Sequence, residues 1–473
     1  MVNEIPKPQR ALILQGGGAL GAYEAGVFKA IYDKLFTPNE ALFDIVIGTS
    51  IGAVNGAVIT SYVKQNKTWK NSADRLIEFW KHLASPTPFI AKSSERWWGE
   101  AGRRYYATKH FLYRGTEKVF SAPKPEYDYN FFDNLTVFEG LPNVNPNIWH
   151  KYDNTLLQKS LEHNGKDGEK FVKFPISTNI ENKEPRFLTV AVDIQEGSTV
   201  TFDSYPKHDG LRKTEYGKEM TDSEPPKIKN PGYVINYENG IEMKHLIASA
   251  SVPIHYDHMK IKGSRLDDSG KPTKIPSDRY FWDGGIFSNT PLRELLSEHK
   301  NFWEKRIEPQ KQSEETSPTS EIEFLENKIP DLEVYIVNVW TKKEQKIPQD
   351  YDSSKDRKND IVYCDKTTYD EKVAKFISDY IGLTRNLIKL AKSKGATKDE
   401  LDKILKTSAE SRFRTNESRE YNHLLKGRFR LGKVVRIERQ DDIHTISNKS
   451  VDFTKETICS LIENGYEEAY FQI

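Results

Sequence analysis

The stretch FDIVIGTSIGAVNGAVITSYV, residues 43–63, decides the architecture. Phe43 to Ile47 form an apolar run of strand length. A turn of small residues follows, and then a run of small and apolar residues with helical spacing. Working outward, RALILQGGG at 10–18 reads as a second buried strand ending in glycines. GAYEAGVFKAIYDKLF after it places Ala22, Ala25, Val27, Phe28, Ile31 and Leu35 on one helical face. The order strand, helix, strand, helix within about 65 residues predicts an α/β layered fold with a mostly parallel sheet.

Beyond this start the segments differ in character. PRFLTVAVDIQEGSTVTFD (185–203) alternates and predicts strands or a hairpin, and EMKHLIASASVP predicts a helix stopped by Pro253. RYFWDGGIFSNTPLRELL predicts a strand, a tight glycine turn and a helix start. DLEVYIVNVW (331–340) predicts the last core strand. Polar stretches at 204–231, 308–330 and 343–360 read as exposed loops. The third separates a sheet region, 8–342 with an aromatic-rich insertion at about 66–170, from a helical extension at 343–473 packed on the core. In that extension EKVAKFISDYIGLTRNLIKLAK has long-helix spacing, and Thr397 with Glu400 forms a capping box.

Composition excludes several classes. The chain has 473 residues, with 70 Lys+Arg against 69 Asp+Glu, a net charge of +1. No global field directs it to nucleic acid. Mean hydropathy is −0.70, and no run approaches the roughly 18 apolar residues of a membrane span. The N-terminus lacks a basic region followed by an apolar one, so a soluble cytoplasmic protein is expected. Cys364 and Cys459 have neither disulfide-framework nor metal spacing and are expected to be reduced thiols.

The chemistry is read from Gly48-Thr49-Ser50-Ile51-Gly52. A G-x-S-x-G between strand and helix is the setting of a nucleophile elbow: the serine is lifted from the sheet edge and a helix N-terminus lies behind it. The plainer alternative is a tight turn whose serine caps a helix. Gly16, Gly17 and Gly18 follow the first strand and offer unobstructed N–H groups for an oxyanion. Gly16, Gly18 and Gly21 also spell the dinucleotide pattern G-x-G-x-x-G. That pattern needs an acid at the end of the second strand. Asp44 stands at its start, the wrong edge of the sheet. The base is open between a histidine (His299, His423 or His444, each expected at the surface) and Asp283, held in the WDGG turn.

GGGALGAYEAGV (16–27), GTSIGA (48–53), ASASVP (248–253) and DGGIFSNTP (283–291) together resemble the patatin-like phospholipase family, as does the tail VDFTKETICSLIENGYEEA. The resemblance covers 10–65, 185–203 and 245–340 and thins over 66–170 and 350–450. It implies a three-layer α/β/α fold and a Ser–Asp dyad without histidine. Ser50 would be the nucleophile, Asp283 the base, and the N–H groups around Gly16, Gly17 and Gly18 the oxyanion hole. Gly21, Gly48, Gly52, Gly284 and Gly285 support the turns. No cofactor or metal is implied. The implied function is that of a serine lipid acyl hydrolase of phospholipase A or lysophospholipase type acting on a lipid substrate. A lipid-binding scaffold without catalysis, or a thioesterase or peptidase, is the alternative. Many members carry Arg or Lys where this chain has Leu20, which removes a basic contact to a substrate phosphate. Residues 95–115 hold six aromatics, among them Trp97, Trp98, Tyr105, Tyr106, Phe111 and Tyr113, with five Lys/Arg and two Glu. They suit peripheral membrane contact; the alternatives are single-stranded nucleic acid, which the overall reading excludes, or an insertion with aromatics in the core and arginines in water.

Overall fold

The computed structural model describes residues 7–122, 151–220, 228–273, 275–307, 329–344, 346–407, 420–425, 429–440 and 444–473. Strand β1 (Gln9–Leu14) leads through a short 3-10 turn (Gly18–Leu20) into α1 (Gly21–Leu35). β2 (Ile45–Thr49) leads into α2 (Ile51–Asn66), and α3 (Ser72–Leu83), α4 (Phe89–Arg114) and α5 (Thr155–Leu161) follow. β3 (Arg186–Asp193) and β4 (Ser198–Asp203) form the expected antiparallel hairpin. β5 (Lys213–Tyr216), β6 (Glu219–Met220), β7 (Ile228–Asn230) and β8 (Tyr233–Asn236) lead to α6 (Met243–Ala250), β9 (Met259–Arg265), β10 (Ser277–Asp283) and α7 (Leu292–Ile307). After β11 (Leu332–Asn338) come α8 (Tyr351–Tyr363), α9 (Thr368–Ser393), α10 (Lys398–Leu405), α11 (Tyr421–Leu425), β12 (Leu431–Glu438) and α12 (Lys455–Gln472).

Ten strands form one sheet in the order β12-β11-β1-β2-β3-β10-β9-β8-β5, with β4 also on β3. β12, β11, β1, β2 and β3 run parallel. Along β11, β1, β2 and β3 residues alternate between two buried faces, so both read as apolar. Leu12, Leu14 and Val46 join the larger core under α1, α2 and α3. Ala11, Ile13, Ile45 and Ile47 join the core completed by Leu292 and Leu295 of α7, with Ala374 of α9 at its margin. The result is the expected α/β/α layering.

Three expectations fail for identifiable reasons. The 204–231 stretch contains β5, whose Thr214 and Tyr216 are buried on either side of the exposed Glu215. Four residues of alternation are too few to stand out among charges. The 343–360 stretch contains the start of α8, capped by Asp350 and Ser353. Its buried face is Asp356 and Asp360, bonded to Lys449, so hydropathy hides it. The C-terminal part is not wholly helical, because β12 extends the sheet beside β11. Its inward Leu431, Val435 and Ile437 are separated by Lys433 and Arg436, as suits an edge strand. Most of 308–330 lies outside the described residues.

Candidate active site

The two carboxy-terminal ends that carry the motif residues meet on one edge of β3. β2 occupies that edge as far as Thr49, which faces Val190. β4 fills the opposite edge over Leu188–Asp193. β10 must therefore continue on the side of β2, and its Asp283 faces Ala191, one residue beyond Val190. β2 and β10 thus approach end to end, and Ser50 and Asp283 follow or close them. Antiparallel insertion of β10 next to a parallel strand brings together residues 233 positions apart in sequence.

The elbow is tight at each turn. Ser50 has φ 56 and ψ −125, a left-handed conformation that costs a non-glycine residue about 1–3 kcal/mol. A Cβ at Gly48 would strike the Gly52 backbone, and one at Gly52 would strike the Leu14 carbonyl. Several bonds hold Ser50 in place. Its N–H donates to Ser249 Oγ (3.0 Å), which donates in turn to the Val190 carbonyl (2.5 Å). The Ser50 carbonyl accepts from Ala53 and Val54, opening α2. Thr49 Oγ1 donates to the Ser288 carbonyl (2.8 Å). Ser50 itself is half-buried.

Asp283 is buried, and Oδ1 accepts from the Gly285 N–H (2.7 Å). Burial pushes its carboxyl up to about 6, opposed by the Ser50 hydroxyl beside it and the Gly285 N–H. Oδ2 has no hydrogen bond of good geometry and is the atom open to a proton. A Cβ at Gly284 would meet the Val190 carbonyl, which explains a glycine where β10 leaves the sheet.

The glycine loop faces this pair from β1. The Gly16 N–H reaches the Asn289 carbonyl (3.4 Å), so it is engaged within the protein. The Gly16 carbonyl accepts from Trp340 Nε1 (2.6 Å) and Asn289 Nδ2 (3.2 Å). Gly18 has φ 58, and its Cα rests on the Ser450 carbonyl so closely that no side chain fits. Below the loop, Gln15 Oε1 accepts from the Val339 N–H (2.8 Å), while its N–H donates to Glu24 (2.7 Å). Glu24 is wholly buried, accepts also from Asn55 (2.8 Å), and its carboxyl is raised by burial. Gln15, Ser249, Asn289 and Trp340 were not singled out in the sequence. Only Ser249 and Asn289 carried a signal, as members of the ASASVP and DGGIFSNTP segments.

The other candidates lie elsewhere. His299 is buried, contrary to expectation; its Nε2 pairs with the Pro330 carbonyl (3.0 Å) and its ring packs on Phe429. Pro330 precedes β11, whereas Ser50 follows the parallel β2, so His299 stands at the opposite end of the sheet. Burial lowers its pKa to about 4. The His423 side chain lies outside the described residues. Asp44 accepts from the Arg10 N–H (2.8 Å) at the strand starts, the edge away from the glycines. Leu20 is buried in the main core, so this position faces inward rather than toward a substrate.

A cavity of about 200 Å³ adjoins the Asp283 turn, lined among others by Gly285, Ser288, Asn289, Arg293, Glu294 and Asp370. Ile286 and Phe287 on the same turn are exposed. Among the described residues no group of His, Cys, Asp or Glu has metal-binding geometry. Cys364 and Cys459 are free and half-buried.

Residues 12–296 match the sequence profile of the patatin-like phospholipase family. The chain belongs to that family. A 50-residue segment is 50% identical to a cUMP-AMP-activated phospholipase of Escherichia coli, covering 11% of this chain and 16% of that protein. The chain thus matches about a sixth of the length of that patatin-like relative. VipD of Legionella pneumophila, a solved structure, aligns over 99% of this chain and 67% of its own, at 12% identity and a TM-score of 0.29. Within the patatin-like domain, the segments around Gly16–Gly18, Ser50, Ser249 and Asp283 are the ones that converge.

Proposed function

We propose that this patatin-like protein hydrolyses fatty acyl esters of lipids through Ser50 and Asp283. The observation that supports this reading is the placement of both residues at the meeting ends of β2 and β10. There, a buried carboxylate with an unengaged oxygen stands beside a strained, half-exposed serine. Ser50 Oγ attacks the ester carbonyl carbon while its proton passes to Asp283 Oδ2. The carbonyl oxygen becomes the oxyanion and is received by the N–H groups of Gly17 and Gly18, with the N-terminal end of α2 adding its partial positive charge. The alcohol leaves with the proton, giving an acyl-serine. Water then attacks this ester with Asp283 as base, and the fatty acid and free Ser50 result. Loss of one oxyanion donor costs on the order of 3 kcal/mol in such reactions. The Gly16 N–H, bonded to Asn289, serves to fix the loop. The exposed Ile286 and Phe287 offer an apolar rim for an acyl chain.

Hydrolysis of a p-nitrophenyl acyl ester and of phosphatidylcholine by wild type and Ser50→Ala tests the proposal. Ser50→Ala is expected to lose at least a thousandfold in rate and its labelling by a fluorophosphonate probe, with the fold retained. Equal rates, or no adduct on Ser50 in wild type, would overturn it and favour a lipid-binding scaffold. The relative named as cUMP-AMP-activated motivates running each assay with and without cUMP-AMP. A rate that rises only with the nucleotide extends that control to this chain.

A further inference from the structure

The long helix α9 is held to the protein mainly along one side, with Asp370 near its start also paired to Arg293 of α7 (3.0 Å). Ile381 is buried, Ala374 borders the second core, Ser378 Oγ accepts from the Leu431 N–H (3.4 Å) and Glu371 pairs with Arg436. The other side carries two interleaved sets of apolar residues. Tyr369, Phe376, Leu383 and Leu390 recur every seven residues, and Val373, Tyr380 and Leu387 recur every seven between them. The steps are four, three, four, three, four and three, an unbroken a/d heptad seam over three repeats. All seven are exposed, between 37 and 74% of each residue's surface.

We infer that this seam pairs antiparallel with α9 of a second copy of the chain. The seven residues expose on the order of 700 Å², taking about 150–250 Å² for each full aromatic side chain. A standard stable interface buries about 800 Å² per partner. The positions flanking the seam are Asp370, Ile377, Thr384 and Ala391 on one side, and Lys372, Asp379, Asn386 and Ser393 on the other. They carry two acids and one base, which suits a neighbouring helix better than an anionic bilayer, where Lys and Arg border the apolar face. Direction follows from the next position of the repeat, Lys394. A parallel pair would set the two Lys394 side chains against each other. An antiparallel pair with Tyr380 of one copy level with Leu383 of the other brings each Lys394 level with Tyr369 and next to Asp370 of the second copy. It also opposes the two helix dipoles. Such a pairing is two-fold symmetric and closes on itself.

The mass of the full chain, measured by sedimentation equilibrium from 1 to 100 µM, tests this inference. Wild type is expected to approach twice the 54.5 kDa chain mass. Leu387→Glu, at an exposed position, is expected to raise the dimer dissociation constant at least a hundredfold with an unchanged circular dichroism spectrum. In a Cys364→Ser, Cys459→Ser background, Phe376→Cys combined with Leu387→Cys is expected to crosslink two copies on oxidation, and Phe376→Cys alone is not. A wild-type monomer throughout, or a Leu387→Glu dimer of wild-type affinity, overturns the pairing. Crosslinking by Phe376→Cys alone overturns its direction. A monomer whose binding to phosphatidylglycerol vesicles is abolished by Leu387→Glu overturns it in favour of a lipid surface.

Discussion

At the scale of single residues, the role proposed for Asp283 as base would oppose its effect on stability. Burial raises its carboxyl from 3.8 to about 6. The folded state therefore holds this proton more tightly than the unfolded chain, and stability is lost as pH rises from about 4 to about 6. Raising the carboxyl that far corresponds to at most about 3 kcal/mol above pH 6. The proposed base is competent only when ionised, so kcat/KM is expected to rise tenfold per pH unit below about 6 and level above it. Asp283→Asn keeps an oxygen for the Gly285 N–H and removes the buried charge. It is expected to abolish hydrolysis while raising Tm at pH 8, with less or no gain at pH 4. Thermal melts at both pH values check this, and an equal shift at both would refute the linkage. Ser50 and Asp283 were legible because their turns require glycines at 48, 52 and 284. Ser249 and Asn289 act through backbone groups of distant segments, and their chemistry alone does not mark them.

At the scale of elements, the glycine loop is held from outside its own strand and helix. Ser450 rests on Gly18 and Trp340 bonds the Gly16 carbonyl. The segment carrying Ser450 is tied to α8 by Lys449, whose ammonium lies 2.7 Å from Asp360 and 3.1 Å from Asp356 in a buried site. Ser447 is tied there as well, through Asp352. Removing the cation leaves two carboxylates buried without it, which costs about 3–5 kcal/mol for a buried pair. Lys449→Met is therefore expected to lower stability by that order in urea denaturation. It should also reduce the rate per folded molecule, because the support under Gly18 loosens. Unchanged activity in a destabilised variant would separate the C-terminal segment from the site. The periodicity of α1, α2 and α9 was plain in sequence. α8 and β12 were hidden because one buries aspartates and the other alternates with lysine and arginine.

For the whole molecule, a net charge of +1 provides no long-range attraction to an anionic surface. Among the described residues no helix is long and apolar enough to cross a membrane. Contact with lipid, which we propose for the 95–115 region, then depends on local apolar projection. α4 departs in part from the alternative of aromatics in the core and arginines in water, since Arg96 and Arg114 are exposed as it expects. Trp97 and Trp98 are exposed, with Phe89 and Ile90 near the helix start, whereas Arg103 and Arg104 are buried. Arg103 bonds Thr454, Thr457 and Glu100, fastening α4 to the start of α12. Phe111 follows the core expectation. A Trp97→Ala, Trp98→Ala variant is expected to lose at least tenfold in vesicle co-sedimentation, on neutral and anionic vesicles alike, with little salt dependence. Unchanged binding would remove this patch as the contact.

The sequence by itself determined the layered α/β class, the family and the elbow. Each rests on local rules: apolar runs long enough for buried strands, helical spacing, and small residues where backbones cross. Tertiary structure alone decided which edge of β3 receives β10, and so which acid meets Ser50. It also brought the Gly16 N–H within 3.4 Å of the Asn289 carbonyl, and decided that a C-terminal strand and Ser450 complete the fold and the loop. These are contacts between segments up to several hundred residues apart. No local period encodes them, because they arise only when the sheet order is set.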